Sequence, residues 1–350
     1  MRPTGIWFDT YTAEARVLET RRSRLFGLAL VAGLMSLPLL AGPWLLGEFT
    51  FFFITLIAVY GLCVTVGMAG QINIAQSAFV GVGAFTAAKL SFAGVPFWLV
   101  VPIAALVTGV ISVLFALPAM RVRGFYLALT TLAAQVMFPI IIRAMPMSWL
   151  GGWVGLPVAA PRLGGFSLGT PTGLYYLALV VTLFCTWAVF NIPRSRFGRA
   201  LKAVHDNDTA ANVMGIPTAR IKIQAFFVGA LFAGVAGALT AYFLQFVTAQ
   251  NFTLFASVWY LGMLIVGGLH SPLGAILGVA FITLLQEGLH TVGNMVLQAQ
   301  GGIGGGTVFA LNTVVLALCI LLALIFEPRG LAHLWNTIKT GFRLWPFPRN

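Results

Sequence analysis

The chain has 350 residues, of which 59% are hydrophobic and 8% charged, and its formal net charge is +12. A mean hydropathy of +0.97 leaves too little polar surface to cover a soluble globule of this length, so the composition excludes a water-soluble domain. The basic residues gather in short segments beside apolar runs, a distribution that membrane topology explains better than nucleic-acid binding.

Residues 1–24 are too long and too polar for a secretory n-region and are expected to stay on as a cytoplasmic or interfacial segment. Within it Ile6, Trp7, Phe8, Val17 and Leu18 interleave with Arg16, Arg21 and Arg22, either as an amphipathic headgroup-level stretch or as a loose tail. From 25 to 329 there follow apolar runs of about 20 residues, the length that crosses a hydrocarbon core of about 30 Å. They predict spans at Leu25–Leu46, Phe49–Gly67, Ile72–Leu90, Pro96–Leu117, Phe125–Met145, Gly173–Ile192, Ile221–Val247, Leu254–Leu269, Pro272–His290 and Val308–Phe326. Runs that do not alternate polar with apolar mean an all-α, polytopic membrane bundle of about ten helices rather than a barrel. Ten divides into five plus five, and GMAGQINIAQSAFVGVGAF and GMLIVGGLHSPLGAILGVAF share small residues and a polar interruption, as an inverted repeat or ordinary helix packing would require.

The third run carries Gln71, Asn73, Gln76 and Ser77 just after Gly67 and Gly70, so part of it is expected to be unwound. Its carboxamides suit a translocation pathway, offering donors and acceptors without a fixed charge; helix–helix hydrogen bonding is the competing reading. Thr130, Thr131 and Gln135 on the fifth run are placed to face the same cavity, or else to bond their own helix. Of the outer loops, Pro146–Thr172 is long and rich in Gly, Pro and Trp, whereas Gln298–Gly306 is short and mostly glycine; either is positioned to meet an external partner.

Between the sixth and seventh runs lies the one long polar segment, 193–220, where Arg194, Arg196, Arg199, Lys202 and Arg220 cluster, with Lys222 just after it. Phe197–Val204 predicts a short amphipathic helix and Asp206 and Asn207 a turn. Asp208 then caps a second helix over Thr209–Met214, stopped by Gly215 and Pro217. Ala210 and Ala211 leave one side small enough to enter a groove, and Arg199, Lys202 and Asp208 supply orienting charge, so the segment reads as a docking surface or as a solvated loop. Further on, Gly229, Ala233 and Gly237, and Gly274 with Gly278, recur every fourth position, which predicts close helix packing. Residues 330–350 form a cytoplasmic tail in which Leu331, Leu334, Trp335, Ile338 and Phe342 recur at helical spacing beside Lys339 and Arg343, as an interfacial helix or a tail.

With both termini inside, seventeen Lys and Arg fall on the cytoplasmic side and only Lys89, Arg143 and Arg162 outside. No ionisable residue lies near mid-span, where one costs about 2.5–3.5 kcal/mol and is normally kept for ion coupling. Cys63, Cys185 and Cys319 read as buried small hydrophobes, and His205, His270, His290 and His333 are too scattered to predict a metal site. There is no catalytic or cofactor-binding constellation and no P-loop, so the chain is not read as an enzyme, and any ATP is hydrolysed by another chain.

The spacing of Ala210, Ala211 and Gly215 is similar to the signature loop of ABC-importer permeases, and GRALKAVHDNDTAANVMGI as a whole resembles its branched-chain amino-acid version. GMAGQINIAQSAFVGVGAFTA (67–87), RVRGFYLALTTLA (121–133), GGWVGLP (151–157), the GG-x-x-SPLGAILG run (267–278) and EPRGL (327–331) resemble LivM-type permeases in that order, covering about 60–331. The resemblance implies a bacterial cytoplasmic-membrane importer: this subunit beside a LivH-type permease, two ATPases that bind ATP and Mg, and a periplasmic or extracellular solute-binding protein. It implies that Phe197, Gly198, Arg199, Lys202, Asp208, Ala210, Ala211 and Gly215 serve ATPase coupling. Thr209 and His270 depart from the family pattern and put the substrate in question. Three readings remain: import of branched-chain amino acids by alternating access; the same machine importing urea or short amides, aromatic or other organic acids, or sugars; and an ATP-independent channel or carrier.

Overall fold

Helix α1 (Arg21–Leu40) stops before Gly42, and Pro43, whose missing N–H and fixed φ suit a first helical position, starts α2 (Pro43–Leu62). The expected boundary between Leu46 and Phe49 is thereby corrected: the chain is continuously helical there, and the break lies at the Gly-Pro pair. The computed structural model describes residues 21–40, 42–119, 125–163, 166–299 and 330–344, with eight residues between 314 and 325. Cys319, the N-terminal amphipathic stretch, the outer loop 300–306 and residues 308–313 of the last expected span lie outside the described residues. Val314, Val315, Ala317, Leu318, Ile320, Leu321, Leu322 and Ile325 are helical, as that span requires.

The helices that follow are α3 (Gln76–Phe92), α4 (Phe97–Ala119), α5 (Phe125–Ala144), the short α6 (Met147–Leu150) and α7 (Pro171–Asn191). After them come α8 (Arg196–Asp206), α9 (Asp208–Val213), α10 (Thr218–Leu244), α11 (Leu254–Gly267), α12 (Pro272–Ala299) and α13 (Leu331–Leu344). Among the described residues seven helical segments are long and apolar enough to cross a membrane, and α1 carries a shorter apolar stretch, Gly27–Leu39. Helix α3 is apolar too but only 17 residues long, because the chain before it is unwound. Helix α12 continues past the expected end at His290, since no Gly or Pro interrupts the run before Ala299 except the tolerated Gly293.

Helix α10 is the centre of the bundle, packed against α4, α3 and α2. Its small residues allow this. A methyl on Gly234 would lie 2.7 Å from the Ala105 Cα, one on Gly83 would lie 2.6 Å from the Gly234 carbonyl, and one on Gly237 would overlap the Val80 carbonyl. Gly274 and Gly278 bring α12 equally close to Gly267 of α11. The opposite surface is an apolar belt, with Leu106, Val110 and Leu114 on α4 and Met137 and Ile140 on α5 exposed, as helices solvated by lipid or a partner require.

The loop from Pro146 to Thr172 is tied to the bundle. Strand β1 (Leu156–Pro157) pairs antiparallel with β4 (Phe246–Val247), and the Arg143 guanidinium lies 4.9 Å from the Trp153 ring centre. Strands β2 (Arg162–Leu163) and β3 (Phe166–Ser167) pair with each other.

Candidate docking element and buried polar break

Helices α8 and α9 project from the bundle as a helix-turn-helix. The Ser195 hydroxyl accepts from Gly198 N–H at 3.0 Å and caps α8, while a methyl on Gly198 would overlap the Ile192 carbonyl. Leu201 and Val204 are buried; Arg199 and Lys202 point outward. The cap of α9 is Asn207, not Asp208 as the sequence pattern suggested: Asn207 has extended backbone, and its side-chain oxygen accepts from Thr209 and Ala210 N–H, each at 3.0 Å. Asp208 is thereby released to accept from the Lys222 ammonium, at 2.6 Å, near the start of α10.

A left-handed Gly215 (φ 83°) ends α9, with Ile216 N–H bonded to the Ala211 carbonyl and Gly215 N–H to that of Asn212. Gly198 and Ala211 face the chain's own interior and let the helices approach. Phe197 is half-buried, and Arg199, Lys202, Ala210 and Gly215 are exposed. At the tip, Val213 and Met214 are 83% and 81% exposed, two large apolar side chains on an otherwise polar projection.

The second feature is the break before α3. Helix α2 ends in a π-helical turn, Cys63–Met68, and residues 71–75 are irregular, with Gly70 at φ 66°. Such an end leaves buried N–H groups orphaned, and Ala75 at the cap position has no side chain to satisfy them. Distant residues do so. Thr131 accepts from Ile74 N–H (3.2 Å), Ser257 from Ser77 N–H (2.8 Å), and Gln135 from both Ala78 N–H (2.8 Å) and the Ser257 hydroxyl (2.9 Å). Gln135 also donates to the Phe252 carbonyl, Gln76 donates to that of Ala58 at 2.7 Å, and Asn73 binds both Gln76 and Ala75 N–H.

The structure thus gathers Asn73, Gln76, Ser77, Thr131 and Gln135 into one buried network. The Ser77 hydroxyl is buried without a hydrogen-bond partner among the described residues. Thr130 stays apart, bonded to the Leu127 carbonyl of its own helix. Gln71 turns toward α8 and α9, lining a 230 Å³ cavity with His205, Asn207, Asp208 and Lys222.

The break and the projecting helices meet. His205, at the end of α8, lies against Gly70, where a methyl would strike its ring, and its Nε2 is 3.3 Å from Nε2 of His270 in the turn between α11 and α12. That turn touches the π-helical turn as well, since a methyl on Gly67 would overlap the Leu269 carbonyl. Burial holds the His270 imidazole below the usual histidine range, helped by His205 and Lys202 and opposed by Asp206. Along α3 a 440 Å³ cavity is walled mainly by Phe79, Phe85, Phe115, Phe138, Ile111 and Ile142, with Thr86 and Lys89 also on its lining.

Residues 45–325 match the family model described as the branched-chain amino acid transport system / permease component. The chain belongs to this family. The permease is 28% identical over 341 residues to the high-affinity branched-chain amino acid transport system permease protein LivM of Salmonella typhimurium, covering 89% of the chain and 76% of that relative. It is 27% identical to LivM of Escherichia coli K12 with the same coverage. The autoinducer 2 import system permease protein LsrC of E. coli HS is 28% identical over 154 residues, 42% of the chain and 44% of the relative. No solved structure is a significant match. The protein is therefore a multi-pass membrane permease component of an ABC transporter, which agrees with the fold expected from its apolar runs.

Sequence reasoning did not single out Ser257, the Lys222 partner of Asp208, the His205–His270 contact or the exposed Val213 and Met214. A hydrophobic pair beside a helix-stopping glycine in the polar loop was the available signal for the last; the first is an ordinary serine in an apolar run.

Proposed function

We propose that the permease forms the translocation pathway of an ABC importer for branched-chain or other hydrophobic amino acids in the bacterial cytoplasmic membrane. Two cytoplasmic ATPases, which bind ATP and Mg, dock on α8 and α9; a LivH-type permease completes the pathway, and a solute-binding protein delivers the cargo. The permease itself carries out no covalent chemistry. The observation that carries this reading is a projecting helix pair anchored into the bundle by Asp208–Lys222, with Val213 and Met214 bare at its tip. Large apolar side chains there gain from burial in a partner groove, and the same helix pair carries the exposed Arg199 and Lys202.

ATP-driven closure of the ATPases moves α8 and α9, and the bundle alternates its access by rigid shifts of packed helices. Support for aliphatic cargo comes from the apolar wall of the 440 Å³ cavity. The pathway role of Asn73, Gln76, Ser77, Thr131 and Gln135 is to hold the unwound segment open to rearrangement, with Gln71 and Thr130 at its margins.

Purification in gentle detergent followed by identification of every co-purifying chain tests the reading. Recovery of a second permease and two ATPases supports it; recovery of this chain alone, with ATP-independent uptake in liposomes, overturns it. A second cargo reading, the same machine moving a different small solute, is favoured by the similarity to the autoinducer 2 permease. A ligand screen on the co-purifying binding protein separates the two.

A further inference from the structure

We infer that His205 and His270 form the contact through which movement of the docking helices reaches both interruptions in the membrane bundle, making them positioning residues for transport. The inference rests on the docking role proposed for α8 and α9. His205 is the last residue but one of α8, and its ring touches Gly70, in the unwound stretch before α3, and His270, in the turn joining α11 to α12. The two imidazoles meet nearly edge to face, 5.1 Å between centres and 82° between planes. Gly70 has positive φ and no side chain, so the ring seats directly on backbone.

Both rings are exposed on their outer sides, and the tight packing lies beneath them, in the backbone of the α11–α12 turn. The α11–α12 turn is jammed by glycines: Gly267 against Gly274, Gly330 against Gly268, and the Leu269 carbonyl against Gly67. Close-packed backbone transmits a shift as a rigid body and has little room to deform. A push on His205 therefore moves the turn and, through Gly67 and Gly70, the end of the π-helical turn of α2. The stretch that Gly70 opens leads into the network of Asn73, Gln76 and Gln135. Asp206 and Lys202 lie close enough to act on His270 electrostatically, so the junction is polar.

The test uses the transporter assembled with its ATPases and partner permease in proteoliposomes, reading substrate moved per ATP hydrolysed. His205→Ala and His270→Ala should each lower that ratio by about 2- to 30-fold, and the double variant should be no worse than the poorer single one. His205→Gln and His270→Gln, which retain a donor near the Nε2 position, should recover most of the loss. The 3.3 Å Nε2 separation also matches the edge of a tetrahedral zinc site with about 2.0–2.1 Å bonds, so added Zn²⁺ should clamp the pair and slow wild-type uptake reversibly. The His270→Gln assembly should escape that clamp. An unchanged ratio in both alanine variants, independent losses in the double variant, or equal zinc inhibition with and without His270 would overturn the inference. Failure of the ATPases to co-purify with the wild-type chain would instead overturn the docking reading.

Discussion

Lys222 and Asp208 close a 2.6 Å ion pair that ties helix α9 to the N-terminal end of α10, the most central helix of the bundle. Lys222 is 7% exposed, so its ammonium depends on this carboxylate for most of its solvation. Removal of one partner leaves the other charge largely buried and without this counter-ion. Asp208→Asn should lower stability by less than the roughly 3–5 kcal/mol of a fully buried pair, because the Asp208 side chain keeps 18% exposure. Thermal unfolding in detergent, with Lys222→Met and the double variant closing the cycle, should show a favourable coupling between the two sites.

Gln135 should be the least replaceable polar residue of the spans. Its carboxamide satisfies Ala78 N–H, the Ser257 hydroxyl and the Phe252 carbonyl together. Gln135→Leu keeps the volume but leaves those groups orphaned, at about 1–3 kcal/mol for each that finds no new partner. The expected result is a large fall in midpoint temperature, exceeding that of Thr130→Val, whose hydroxyl bonds only its own helix.

At the tip of the docking element, Val213→Asp with Met214→Asp should abolish ATPase co-purification while leaving the permease monomer as stable as wild type. Both side chains are almost fully exposed, so their loss removes no internal packing. Ala211→Leu differs: Ala211 is buried, and the added bulk should displace α9 and weaken docking and stability together.

Acid should loosen the junction between α8 and the α11–α12 turn. The His270 pKa lies below its ordinary value of 6.5, so the imidazole is neutral at neutral pH. A depressed histidine pKa contributes stability that is present above 6.5 and is lost as pH falls through the lowered value, where His270 must charge beside His205 and Lys202. Uptake by the assembled wild type should decline over that acid interval, and the His270→Gln assembly should be flatter.

The apolar helices and the polar helix pair α8–α9 were legible because hydropathy and helix-stop residues are local signals. Gln71, Asn73, Gln76 and Ser77 after Gly67 and Gly70 announced a partly unwound stretch, and the structure is unwound from 71 to 75, with Gln76 and Ser77 already in α3. The partners that make the stretch tolerable were hidden. Gln135 and Ser257 stand 122 positions apart, and His205 and His270 stand 65 apart, so no periodicity links them. The Asn207 cap was misassigned to Asp208 because both residue types cap helices, and only the position of Lys222 decides which one is free to do so.

The most direct test of the central claim is uptake of radiolabelled leucine into proteoliposomes holding the permease with its partner permease, ATPases and binding protein, with and without internal ATP and Mg. Accumulation that requires ATP, and that disappears when Val213 and Met214 are both changed to Asp, is the predicted result. Leucine flux that proceeds equally without ATP, or without the ATPases, would contradict it.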